Sequence, residues 1–134
     1  MKVLLSIKPE FVEKIFDGTK CYEYRKVPYK NSDVKTVVVY ATRPIAKIVG
    51  EFDVEEIISG NPIDIWDLTE NKSGITKDFF SEYFEGRKCA FALKIGTLRP
   101  YREPIDPAEM FENFTAPQSF RYIDEEENRQ PLLI

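Results

Sequence analysis

Lys8, Lys20, Glu23 and Arg25 are four ionic side chains set close together near the start of the chain. The two lysines can meet a phosphate or a base carbonyl as point charges. Arg25 offers a planar pair of donors, with Glu23 beside or against it. Tyr22, Tyr24 and Tyr40 present ring faces on which a base can stack. Gln118 and Ser119, far along the chain, carry groups able to read a base edge. The pattern also fits a second arrangement, in which Lys20, Glu23 and Arg25 form an ion-pair network with the tyrosines as core. Gln118 and Ser119 equally suit hydrogen bonds to neighbouring backbone at a strand end.

The chain has no histidine. That removes the usual general base, the Ser-His and Cys-His pairings and the commonest zinc ligand. Chemistry here must run on Lys, Glu, Asp, Tyr, Ser or Thr. Cys21 and Cys89 supply neither a disulfide framework nor a metal cluster. Both lie in apolar strand-like stretches and are expected to be buried thiols. No metal and no cofactor is expected.

A length of 134 residues predicts a single domain with a sizeable core. Apolar residues at 43% and charged residues at 31% are an ordinary globular balance. No apolar run is long enough to span a bilayer, and the N-terminus lacks a signal-peptide pattern. A soluble cytoplasmic protein is expected, without membrane partners. The net charge of -4 argues against loose binding to nucleic acid. Residues 1–50, however, carry ten Lys/Arg against five Asp/Glu, and residues 51–134 nine against eighteen. An acidic chain with a basic beginning can still hold a phosphate in one local pocket.

The elements that must position these groups follow from periodicity. Val3 to Ile7 reads as a buried strand. Pro9 suits a first helical position, Phe11, Val12, Ile15 and Phe16 recur at helical spacing, and Gly18 ends the helix. Residues 20–26 alternate as a strand, with Lys20, Tyr22, Tyr24 and Lys26 facing one way and Cys21, Glu23 and Arg25 the other. Residues 35–41 read as a central strand. Residues 46–59 form a long strand with a bulge or bend at Gly50. Asn61-Pro62 opens a helix to about Asn71, with Ile63, Trp66 and Leu68 inward. Thr76 caps another helix, with Trp66 and the cluster from Phe79 to Phe84 as core. Strands follow at Cys89 to Ile95 and Thr97 to Arg102, then a short helix from Asp106 to about Phe114 and a last strand from Gln118 to Ile123. Short strands with helices inserted between them favour an α+β fold built on a twisted mixed β-barrel with peripheral short helices. Residues 1–123 make the domain, and 124–134 an acidic, mobile tail.

The stretch SIKPEFVEKIFDGTKCYEYRK resembles the opening of ASCH domains, of the PUA-like superfamily. Their strand ends near Lys-Pro, and a helix leads into G-x-K-x-x-E-x-R, matched here by Gly18, Lys20, Glu23 and Arg25. VVVYATRPIAKIVGEFDVEEI resembles the next two strands and APQSFRYI the closing one, so the likeness runs from about Val3 to Ile123. The resemblance implies a PUA-like β-barrel with a cleft beside the first helix that binds RNA or nucleotides. Some proteins of that fold are amidohydrolases on acylated cytidine, or ribonucleases. In the amidohydrolases a lysine matching Lys20 works with a threonine nucleophile and a later carboxylate. Here the threonine position is Glu23, and Glu70 is the nearest candidate for the carboxylate.

The leading expectation is an RNA- or nucleotide-binding domain using Lys8, Lys20, Glu23, Arg25, Tyr40, Gln118 and Ser119. The alternatives are an amidohydrolase or ribonuclease acting on modified nucleosides or RNA, and a protein-interaction module using the acidic C-terminal half.

Overall fold

Pro9 and Gly18 bound the first helix. In a computed structural model of the chain, which describes residues 1–124 and 133–134, strand β1 (Lys2–Ile7) leads into helix α1 (Pro9–Phe16). Pro9 occupies the first turn, where an absent N–H loses no partner. Gly18 turns the chain at φ +87°, a conformation open to glycine. The chain continues through β2 (Tyr22–Arg25), β3 (Thr36–Ala41), β4 (Lys47–Gly60), α2 (Pro62–Thr69), α3 (Lys77–Tyr83), β5 (Ala90–Ile105) and β6 (Arg121–Ile123). Asn61 and Thr76 cap α2 and α3 by accepting from the backbone N–H groups of Asp64 and Phe79.

The six strands form one mixed sheet in the order β2-β5-β4-β3-β1-β6. β1 and β3 run parallel, and the other neighbours are antiparallel. β3 is central, as its apolar, β-branched sequence predicts. The α+β class holds, but the expected closed barrel does not, since no ladder among the described residues joins edge strands β2 and β6. Those strands have only four and three residues, too few to seal a sheet. A side chain reaches across instead, with Arg25 donating to the carbonyl of Ser119 at 2.6 Å.

β4 and β5 bend through three shifts of register. At one shift Gly96 and Thr97 face the single residue Asp53, a bulge that fuses the two predicted strands at 89–95 and 97–102 into one. A Cβ on Gly50 would lie 2.7 Å from the Phe16 ring and 3.0 Å from the Arg99 carbonyl oxygen, so this bend admits no larger residue. Between Asp106 and Phe114 only a 3-10 turn forms, Pro107–Glu109. Gln118 precedes the last strand rather than beginning it.

Three apolar clusters make the core. Val3, Leu5, Ile7, Val12 and Ile15 join the first, while Leu4, Val38, Tyr40 and Tyr101 join the second. Ile65, Trp66, Phe80 and Phe84 build the third with Tyr24. Ile63 and Leu68 are exposed, contrary to expectation, because apolar residues surround α2 and packing selects the face of Ile65 and Trp66. Both cysteines depart from the expected burial: Cys21 is half-buried ahead of β2, and Cys89 is exposed just before β5. Most of the predicted mobile tail, residues 125–132, lies outside the described residues. Leu133 bridges to Tyr101, and the N–H of Ile134 donates to Pro100. Among the described residues no helix is long and apolar enough to cross a membrane.

Candidate functional site

A cleft of about 280 Å³ opens between the end of β1, helix α1, strand β2 and helix α3. Lys8, Lys20, Glu23 and Arg25 all line it. Their approach differs from the predicted alternation. Lys20 lies ahead of β2, in the turn after α1, so the two-residue period of a strand does not govern it. It therefore reaches the same cleft as Glu23 and Arg25 rather than the opposite face.

Lys20 is buried, with 2% of its surface exposed. Its Nζ donates to the carbonyl of Ser73 at 2.8 Å and stands 4.8 Å from the Tyr24 ring centre and 5.4 Å from that of Phe11. Among the described residues no carboxylate lies within ion-pair distance of it. Burial pulls the amine down from 10.5 to about 8; the nearby charge of Glu23 opposes this and that of Lys14 adds to it.

The loop after α2 holds this lysine in place. The N–H of Cys21 donates to Lys72, Lys14 Nζ to Gly74, and Lys20 Nζ to Ser73. Gly74 sits at φ +68°, and any Cβ there would overlap the stem of Lys20. Glycine is thus required twice over, for its backbone angle and for the close approach.

Glu23 is 7% exposed, and its Oε2 pairs with Arg25 NH1 at 3.3 Å. Arg25 uses NH2 on the carbonyl of Ser119, an exposed residue. Only part of the alternative ion-pair network therefore exists, as a Glu23–Arg25 pair without Lys20. Lys8 is exposed, with Nζ 5.1 Å from the centre of the Phe79 ring.

Five expected groups lie outside the cleft lining: Tyr22, which packs against the third cluster, Ser119, and with them Tyr40, Gln118 and Glu70. Tyr40 is 7% exposed and packs on Phe114 in the second cluster, because β3 is covered on both faces. Gln118 is exposed and lies outside the lining. Glu70 is exposed on the turn after α2 and does not reach the cleft. The aromatic wall comes instead from Phe11, Tyr24, Phe79 and Tyr83, and Phe11 meets Phe79 edge-on at 5.2 Å. Phe79 and Tyr83 were expected as core. The available signal is that Phe79, Phe80 and Tyr83 within a seven-residue helix, with Phe84 at its C-cap, are too many large rings for one face.

A second ionic cluster lies away from the cleft. Glu51, 5% exposed, accepts from Lys2 at 3.1 Å, Arg99 at 2.8 Å and Tyr101 at 2.7 Å. Both its oxygens are satisfied, which marks a structural knot between strands. Among the described residues no group of three His, Cys, Asp or Glu side chains could hold a metal.

The family described as Domain of unknown function (DUF365) matches residues 1–124. The ASCH domain-containing ribonuclease of Zymomonas mobilis subsp. mobilis is 29% identical over 133 residues, which is 96% of this chain and 88% of that protein. The large ribosomal subunit protein uL22 of Ureaplasma parvum serovar 3 is 33% identical over 125 residues, covering 90% of this chain but 39% of that longer protein. The crystal structure of ASCH from Zymomonas mobilis superposes with a TM-score of 0.86 at 29% identity, over 94% of this chain and 90% of that one. The resemblance to ASCH domains is borne out in both sequence and structure.

Proposed function

This chain belongs to the family described as Domain of unknown function (DUF365), and we propose that it binds single-stranded RNA or a nucleotide in the cleft between α1, β2 and α3. One observation carries the reading. Lys20 is buried, with no carboxylate partner among the described residues, in a cleft walled by aromatic rings. An unpaired buried cation opposes folding, and a lysine kept only for structure would pair or reach solvent. Such a group is expected where a ligand supplies the missing acceptor. The cleft, at about 280 Å³, falls just below the usual range for ligand sites, about 300–1,000 Å³, which suits no more than one nucleoside unit and excludes a duplex. Phe79 and Tyr83 provide stacking faces, and Lys8 provides a phosphate contact at the mouth. The name of the Zymomonas relative, a ribonuclease, agrees with an RNA-related role.

A second reading, ribonuclease activity, is favoured by the lowered basicity of Lys20. An amine with a value of about 8 is partly free near neutral pH and can take the proton of a ribose 2′-hydroxyl. Amide cleavage is less favoured. Glu23 replaces the threonine nucleophile, and Glu70 stands outside the cleft.

Titration of short single-stranded RNAs and nucleoside monophosphates into the wild type and Lys8→Ala, at two salt concentrations, tests the binding reading. Affinity is expected to fall with salt, and the Lys8→Ala slope to be shallower. Absence of binding by the wild type would overturn it. Product analysis of the same mixtures tests the second reading.

A further inference from the structure

We propose that Glu23 fixes which end of the ligand enters the cleft, and selects a base bearing an exocyclic amine over uracil. The inference rests on the reading of the cleft as a nucleotide site. Glu23 is 93% buried, and only Oε2 is engaged, by Arg25. Oε1 accepts no hydrogen bond among the described residues, although the side chain lines the cleft. Among the described residues Tyr29 Oη alone is a buried side-chain polar atom with no partner, so Glu23 Oε1 is not sealed off; a ligand that displaces solvent from it must bring a donor in its place.

Phosphate carries no donor suited to this place, and its charge is repelled by the carboxylate. The interior sets Lys20 and Arg25 beside Glu23, so charge alone does not bar a phosphate there; what an ionised phosphate lacks is the donor that Oε1 would take. The mouth makes no such demand. Lys8 stands over Phe79, and Lys26 stands 4.7 Å over Tyr83, so two cations border the aromatic wall. A nucleotide thus enters base first, with its ring against Phe79 or Tyr83 and its phosphate outside beside Lys8.

Within the cleft a base can meet the acceptor Glu23 Oε1 and the donor Lys20 ammonium together. A carboxylate accepting from the exocyclic amine of cytosine is a recognised base contact. In cytosine a ring nitrogen and a carbonyl stand beside that amine and can take the lysine proton. Uracil puts a carbonyl oxygen where the amine would be, and this oxygen faces Glu23 with a like partial charge. Arg25 acts through Glu23 as a positioning residue: it is anchored to the Ser119 carbonyl and holds Oε2, which leaves Oε1 for the ligand.

The experiment compares CMP, UMP, N4,N4-dimethyl-CMP and inorganic phosphate on the intact protein by calorimetry, with wild type and Glu23→Gln. The wild type should bind CMP about tenfold or more tighter than UMP or the dimethylated analogue. Inorganic phosphate should bind most weakly to the wild type, and more tightly to Glu23→Gln. The variant should lose the preference for CMP. Should Glu23→Gln fail to fold, the dimethylated analogue still decides the question on the wild type. Binding of CMP and UMP with equal affinity would overturn this inference and leave the nucleotide site standing. No binding of any nucleotide would overturn both.

Discussion

The ammonium of Lys20 donates to the carbonyl of Ser73 across 53 residues of sequence, at 2.8 Å, and among the described residues finds no carboxylate within ion-pair distance. That relationship separates the cleft from the Glu51 knot, where every charge has a partner. It also generates predictions about stability that can be checked without a known ligand.

Replacing Lys20 with methionine should stabilise the protein. Burial lowers this lysine from 10.5 to about 8, so the unfolded chain binds more protons between those values. Wild-type stability therefore rises as pH climbs from about 8 to about 10.5. Below that window the charged form costs about 3 kcal/mol, and losing the Ser73 hydrogen bond returns about 1 kcal/mol of it. Urea unfolding at pH 7 should show Lys20→Met more stable by about 1–3 kcal/mol, with the gap closing by pH 10.5. A less stable variant at pH 7 would show that the lysine is there for structure.

Gly74→Ala should damage both loop and lysine. The added Cβ meets Lys20 at a backbone angle that disfavours any side chain. A loss of about 1–3 kcal/mol in stability is expected. As the loop lifts and Lys20 gains solvent, its amine should move back up toward 10.5. Lysine-labelled NMR reads the second effect, which a purely global destabilisation would not produce.

Two adjacent rings on α3 should separate binding from folding. Phe79 lines the cleft and is half-buried, whereas Phe80 is 3% exposed in the third cluster. Phe79→Ala should weaken RNA binding by about 1–3 kcal/mol with only a small change in melting. Phe80→Ala should destabilise by about 3–5 kcal/mol. Paired melts and titrations check both, and equal behaviour of the two variants would show that the stacking wall is misassigned.

Glu51→Ala serves as the structural counterpart. Burial pushes the Glu51 carboxyl up, but hydrogen bonds from Arg99, Tyr101 and Lys2 prevail and hold it below the usual glutamate range. Its contribution is complete above the ordinary value of 4.5 and fades as pH falls through the lowered one. Removing it strands Lys2, Arg99 and Tyr101 and should cost about 3–5 kcal/mol. Nucleotide affinity at a temperature where the variant is folded should not change.

The fold was most legible where local signals agreed. Pro9, Gly18, Asn61 and Thr76 mark helix ends through the chemistry of caps and turns, and β3 reads as central from its branched apolar run. The sheet's openness was not legible, because closure depends on pairing between residues almost a hundred positions apart. The ionic half of the cleft followed from the spacing of Lys8, Lys20, Glu23 and Arg25. Its aromatic half did not, since Phe11 and Phe79 satisfy a helical apolar stripe whether they face core or cleft. Tyr40 shows the reverse case: its place in β3 packs it on Phe114 in the second cluster, away from the cleft lining, and ring identity alone does not reveal which cluster a tyrosine joins. The Ser73 carbonyl was invisible because a backbone acceptor leaves no trace in side-chain identity.

The most direct measurement is a pH titration of the Lys20 side chain by NMR on ¹³C-lysine-labelled protein, assigned with Lys20→Met, with and without saturating single-stranded RNA. The free-state midpoint should lie near 8, and that resonance and its midpoint should shift clearly when RNA is bound. A midpoint near 10.5, or a resonance untouched by RNA that binds elsewhere, would contradict the proposed site.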